Sequence, residues 1–171
     1  MVAGVEIVLL LKGGFFKSTS MLHVVLVNPE IPHNTGAIGR LCLATGARLH
    51  LVKPLGFAID DRQVKRAGLD YWKDVDLSIW ESWEDFQDSV NEEANFYLLT
   101  TKTKCAYWEK EFKDGDYLIF GAETKGLPES ILTENPDSCV TIPMKENSTR
   151  SLNLATSAGI VLYEAVRQTG I

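Results

Sequence analysis

Three short stretches of the chain hold residue types able to do chemistry. The first is Asn28-Pro29-Glu30-Ile31-Pro32-His33-Asn34-Thr35-Gly36-Ala37-Ile38-Gly39-Arg40. It sets two amide side chains and an arginine around a pair of glycines, which let a ligand or another backbone come close. Asn34 is placed to cap the helix expected next. The second, Gly121-Ala122-Glu123-Thr124-Lys125-Gly126-Leu127-Pro128, is a glycine-bounded turn entering a helix. Its free backbone N–H groups would meet the polar edge of a ligand. Glu123 would accept hydrogen bonds from that turn or orient a neighbour. The third, Ile142 to Ala155, gathers Ser148, Thr149, Arg150, Ser151 and Asn153, with Ser151 the expected N-cap of a final helix. Each stretch also reads as an ordinary strand–loop–helix connection, and singly none decides between the two. Glycine-rich dinucleotide and phosphate-loop motifs are absent, as is a G-x-S-x-G elbow.

The elements that must position these residues alternate between strand and helix. Leu22 to Val27 is a continuous apolar run, the pattern of a strand buried on both faces. A helix is expected from about Thr35 to Thr45, closed by Gly46, then a strand over Ala47 to Val52. Asp60 or Asp61 would cap a short helix carrying Arg62, Lys65 and Arg66, either a phosphate contact or a solvated face. Leu77 to Trp80 reads as a short strand, and Ser82 opens a helix to about Glu92 with Asp85 as capping partner. Phe96 to Thr100, Tyr117 to Phe120 and Cys139 to Ile142 read as strands. Lys102 to Asp116 reads as loop, and Pro128 as the first turn of a short helix. The last helix, about Asn153 to Gln168, carries Leu154, Ala158, Val161, Leu162 and Ala165 on one stripe, fit for core or for an interface. The fold class expected is α/β, a parallel sheet flanked by helices.

Bulk properties narrow the function. The 171 residues are 45% hydrophobic, which suits one domain with a sizeable core. The net charge of −6 argues against nonspecific coating of nucleic acid, which depends on neutralising phosphates, but leaves room for a local basic patch. Cys42, Cys105 and Cys139 are isolated, which points to a reducing compartment and to no structural metal. The apolar run Val5 to Leu11 is too short to span a bilayer and lacks the flanks of a signal peptide. Residues 1–20 are expected to be an extension of unassigned role, either upstream residues or a peripheral strand, ahead of a domain over 21–171.

Taken together and in order, the three stretches resemble the SPOUT superfamily of RNA methyltransferases, and within it the SpoU branch of ribose methyltransferases. The likeness runs from about Met21 to Gly170. It extends to the intervening Arg48-Leu49-His50, Gly56-Phe57, Arg66 to Tyr71, Leu99 to Lys102 and Asp114 to Tyr117. It implies a parallel α/β sheet whose C-terminal part forms a deep trefoil knot. It implies S-adenosylmethionine as cofactor, with Leu99, Gly121, Ile142 and Ser151 contacting it, Met144 and Leu152 flanking it, and Glu123 holding the second loop. It implies Arg40 as the residue that steadies the developing alkoxide, with Asn34 and Asn153 positioning Arg40 or the ribose. The small wobble-nucleotide enzymes of the branch are the nearest match. They imply tRNA as substrate (cytidine or carboxymethylaminomethyluridine in the anticodon loop, of tRNA-Leu), a cytoplasmic homodimer joined through the C-terminal helix, and neither metal nor membrane. One departure stands out: the loop from Lys145 to Arg150 is one residue longer than the branch pattern. The competing expectations are another tRNA position or rRNA as target, a noncatalytic RNA-binding factor with the same fold, and a nucleotide-binding module without an RNA role.

Overall fold

The computed structural model describes residues 21–59, 71–91, 93–145 and 151–170. Residues 1–20, the expected helix carrying Arg62, Lys65 and Arg66, and Ser148, Thr149 and Arg150 lie outside them.

Six strands form one parallel sheet: β1 His23–Val27, β2 Arg48–Val52, β3 Leu77–Trp80, β4 Phe96–Leu99, β5 Tyr117–Phe120 and β6 Cys139–Val140. Their order is β3-β2-β1-β5-β4-β6, and every pairing is parallel. Four α-helices, with three short 3-10 helices between them, complete the described fold: α1 Pro32–Thr45, α2 Trp83–Ser89, α3 Glu129–Glu134 and α4 Leu154–Thr169. Side chains alternate along each strand. Val24, Leu26, Leu118 and Phe120 join a core with Ile38 of α1 and Val161 and Leu162 of α4. Val25, Val27 and Ile119 join a second core with Phe86 of α2 and Ile131 of α3. Covering both faces is what the unbroken apolar strands require.

Helix boundaries differ from the sequence reading where local chemistry competes. The first helix begins at Pro32, not Thr35, with Ile31 as a cap that forms no side-chain bond. Proline suits a first-turn position because that N–H would be unpaired anyway. Asn34 is therefore no N-cap but lies within the first turn, 4% exposed. Asn153, not Ser151, caps the last helix, accepting from the N–H groups of Ala155 and Thr156 at 2.9 and 3.2 Å. Pro128 stands one residue earlier than expected, as the cap of α3. Ser82 caps α2 as read, but that helix stops at Ser89 rather than running to Glu92. The last strand is only two residues, continued by a bridge from Thr141 to Ala106.

A polar chain crosses the sheet away from the glycine turns. Trp80 Nε1–H donates to His50 Nδ1 at 3.1 Å, so neutral His50 carries its proton on Nε2 and donates to His23 Nδ1 at 2.9 Å. Burial, reinforced by nearby Arg48, pushes His23 down to about 4. Burial, with His23 and Arg48 adding to it, pushes His50 down to about 3. Both rings are thus held neutral.

Candidate functional site

The sheet order brings distant loops together. Because β1 lies beside β5, the loop after β1 (28–31) abuts the loop after β5 (121–128). Described residues on either side of the β6–α4 connection, Thr141, Ile142, Met144, Ser151 and Leu152, line the same end. Ligands of open parallel sheets sit at these carboxyl ends.

A cavity of about 250 Å³ opens there. Leu99, Gly121, Glu123, Ile142, Met144, Ser151 and Leu152 all line it. Thr100, Thr141 and Ser157 add hydroxyl-bearing side chains that the sequence reading had not singled out. The turn from Gly121 is drawn tight by the Gly126 N–H, which donates to the Ala122 carbonyl at 2.8 Å. Gly126 has a φ of 69°, where glycine is favoured. A Cβ on Gly121 would stand 2.0 Å from the Gly126 carbonyl carbon, so no other residue fits without moving backbone. Met144 and Leu152 are 37% and 39% exposed. Apolar side chains open to solvent beside strand-end backbone are what a purine with polar ends would use.

Beside the cavity, side chains from three stretches form one hydrogen-bonded chain. Asn153 Nδ2 donates to Asn34 Oδ1 at 3.0 Å, and Asn34 Nδ2 donates to Glu123 Oε1 at 3.0 Å. Glu123 also accepts from the backbone N–H groups of Glu30 and Ile31, at 2.7 and 3.2 Å. Its carboxylate thus bonds across to the first loop, not to its own turn. Asn34 has a buried side chain with both amide ends used, which accounts for asparagine at a helical position where the residue is disfavoured.

Arg40 stands apart from this chain. It is exposed, on the next part of α1, with its guanidinium carbon 5.7 Å from the centre of the Tyr71 ring. The Tyr71 hydroxyl donates to the Gly36 carbonyl at 3.3 Å, and Trp72 lies over Gly39, where a Cβ would stand 2.6 Å from the indole. Gly39 therefore admits the Trp72 ring against the helix. Among the described residues, Asn34 and Asn153 bond to each other and make no hydrogen bond to Arg40. Tyr71, Trp72 and Glu30 went unassigned in the sequence. Only the placing of Glu30 between Pro29 and Pro32, just past a strand, hinted at a held loop.

A parallel sheet with a glycine-turn cavity at its carboxyl end, flanked by this amide–carboxylate chain, defines a class, and the chain belongs to it: the SpoU rRNA Methylase family, whose model matches residues 21–163. Among particular relatives, it is 47% identical over 151 residues to a tRNA (cytidine(34)-2'-O)-methyltransferase of Escherichia coli strain K12, covering 88% of this chain and 95% of that one. It is 49% identical over 149 residues to the protein of that name from Methylovorus glucosotrophus, covering 86% and 96%. A solved structure concerned with 2-OH methylation of C/U34 on tRNA superposes with a TM-score of 0.82 at 44% identity, covering 87% of this chain and 96% of that one. The SpoU methyltransferase AviRb from Streptomyces viridochromogenes, in complex with AdoMet, superposes with a TM-score of 0.75 at 29% identity, over 87% of this chain and 58% of that one. Among the described residues no helix is long and apolar enough to cross a membrane, and no cluster of three or more metal-ligating side chains occurs.

Proposed function

We propose that this chain transfers a methyl group from S-adenosylmethionine to the ribose 2′-hydroxyl of the wobble nucleotide, position 34, of tRNA. The observation that carries this reading is the Asn153–Asn34–Glu123 chain, which ties a helix bearing an exposed arginine to the rim of the glycine-turn cavity. The relatives that share nearly the whole chain methylate this position by name.

The cavity suits the cofactor. Gly121 leaves no room for a side chain, so the turn presents backbone, and Leu99, Ile142, Met144 and Leu152 offer apolar surface beside Ser151. When bound, the cofactor supplies an activated methyl on a sulfonium. The protein must then align the ribose oxygen and ease loss of its proton. Arg40 is exposed and cationic, and arginine does not deprotonate in proteins. Its role is to stabilise negative charge developing on the 2′-oxygen and to hold an adjacent RNA phosphate, which relays the hydroxyl proton to solvent as the thioether product leaves. Tyr71 keeps the guanidinium over its ring meanwhile. Asn34 and Asn153 fix the ribose-side helix relative to the cavity, and Glu123 joins the first loop to the second.

The same reading includes the family's trefoil knot in the C-terminal part of the chain, with α4 packed against α1. The outward position of β6 supports it. It includes a homodimer through α4, supported by Leu43 and Tyr163, which are 41% and 47% exposed on the packed pair α1 and α4. It takes residues 21–171 as the methyltransferase domain, the cytoplasm as its compartment, and tRNA-Leu as substrate. Anticodon-loop bases are splayed and accessible, which suits a reader without an added RNA-binding domain.

The family description names rRNA, which favours ribosomal RNA as the second reading. Purified protein, labelled S-adenosylmethionine and tRNA lacking its ribose methylation separate them. Label mapped to nucleotide 34 is the expected result. Label on ribosomal RNA with none on tRNA selects the second reading. Arg40→Ala is expected to abolish transfer while leaving cofactor binding intact.

A further inference from the structure

Two carboxylates join the loop before α1 to the turn after β5, and they reach in opposite directions. Glu123 extends from the turn to the N–H groups of Glu30 and Ile31. Glu30 reaches back: its Oε2 accepts from the Thr124 N–H at 3.0 Å and its Oε1 from the Thr124 hydroxyl at 2.8 Å. Adjacent residues on one loop thus close a ring of hydrogen bonds with a single residue on the other. The backbone at Glu30 is held from a third side as well. The Gly56 N–H donates to the Pro29 carbonyl at 2.9 Å, and a Cβ on Gly56 would stand 2.7 Å from Glu30 Cα.

The Glu30–Thr124 bonds are exposed. Polar contacts in water add little to global stability. Their effect is geometric. One loop of the ring leads four residues on to Asn34. The other, through Glu123, Thr124, Lys125 and Gly126, is a wall of the cavity. Fixing these loops in register fixes the ribose side relative to the cofactor side.

We propose, resting on the methyl-transfer reading above, that Glu30 is a positioning residue. By gripping Thr124 it locks the cavity wall against the segment that carries Asn34, so that donor and acceptor are set in line by one clamp. It touches neither reactant.

The test is steady-state kinetics on tRNA, with calorimetry of cofactor binding and melting curves, for wild type, Glu30→Ala, Glu30→Gln, Thr124→Val and the Glu30→Ala/Thr124→Val double variant. Loss of alignment lowers kcat, and losing two charge-assisted bonds corresponds to roughly tenfold in Glu30→Ala. Cofactor Kd stays within about threefold and the melting midpoint is nearly unchanged. Glu30→Gln rescues most of the rate, because the amide oxygen accepts the Thr124 N–H while its NH₂ donates to the Thr124 hydroxyl. Thr124→Val, which keeps the N–H, loses about threefold, and the double variant is no slower than Glu30→Ala. Glu30→Ala at wild-type kcat overturns the proposal. So does equal damage from the alanine and glutamine variants, or a loss lying wholly in cofactor affinity. Should Glu30→Ala not fold, wild-type kcat in Thr124→Val overturns it alone. A wild-type chain that transfers no methyl to RNA refutes the underlying reading instead.

Discussion

Replacing Gly121 by alanine tests most directly the proposed role of its turn in holding the cofactor. The added Cβ would stand 2.0 Å from the Gly126 carbonyl carbon, 2.1 Å from the Leu127 nitrogen and 2.4 Å from the Gly126 oxygen. Ordinary contact begins near 3.4 Å, and all three obstacles are backbone, which cannot swing aside as a side-chain tip can. The turn must therefore retreat by about 1.4 Å or the strand end must shift, and overpacking of this kind costs about 1–3 kcal/mol. A displacement of about 1 Å in a binding wall costs on the order of 100-fold in function. Calorimetry with S-adenosylmethionine should show affinity lowered at least 30-fold, roughly 2 kcal/mol, in a protein that still melts cooperatively. Gly46→Ala is the control. It carries a φ of 70° with nothing within 4 Å of a Cβ, so it should cost about 1 kcal/mol of stability and leave binding untouched. Wild-type affinity in Gly121→Ala would mean that the turn does not form the cofactor wall, and the site would have to be sought elsewhere.

Other expectations follow from the same contacts. Asn34→Ala strands Asn153 Nδ2 and removes one donor from Glu123, so kcat should fall about tenfold with cofactor Kd little changed; a proportionate loss of cofactor affinity would contradict the placement of Asn34 on the ribose side. Tyr71→Leu removes the ring beneath Arg40, worth about 0.5–1 kcal/mol at an exposed site, and should slow transfer two- to fivefold, whereas Tyr71→Phe keeps most of the rate. Stability should also fall with acid. His23 and His50 are held neutral in the fold, with values lowered to about 4 and about 3, so the unfolded chain binds protons first. Stability is full above about pH 6.5 and declines as pH drops toward 4; at pH 5 the fully buried share is about 2 kcal/mol per ring, less for half-buried His23. Urea unfolding at pH 8 and pH 5 measures the difference, and His50→Phe should flatten it.

Much of the fold was legible because each strand carries its own signal. Runs such as His23–Val27 and Tyr117–Phe120 are apolar on both faces, and only a sheet covered on both sides buries them. Glycine turns announce themselves through residue type alone, as Gly121 and Gly126 do. Helix starts were less legible where two caps competed. Asn34 and Asn153 are both good cap residues, yet one is used as a buried linker and the other displaces Ser151. The choice rests on partners far away in sequence, which no local rule contains.

The sequence by itself determined the alternation of elements, the glycine positions, and the order of three polar stretches. It left Glu123 between bonding its own turn and orienting a neighbour, and Glu30 without a role. Only the tertiary structure decided that β1 lies beside β5, which sets the 28–31 loop against the 121–128 loop. That adjacency turns two ordinary glutamates into a reciprocal clamp and joins Asn34, Glu123 and Asn153 into one chain. The physical reason is that local backbone preferences act over a few residues, whereas strand order is settled by which apolar faces can be covered at once.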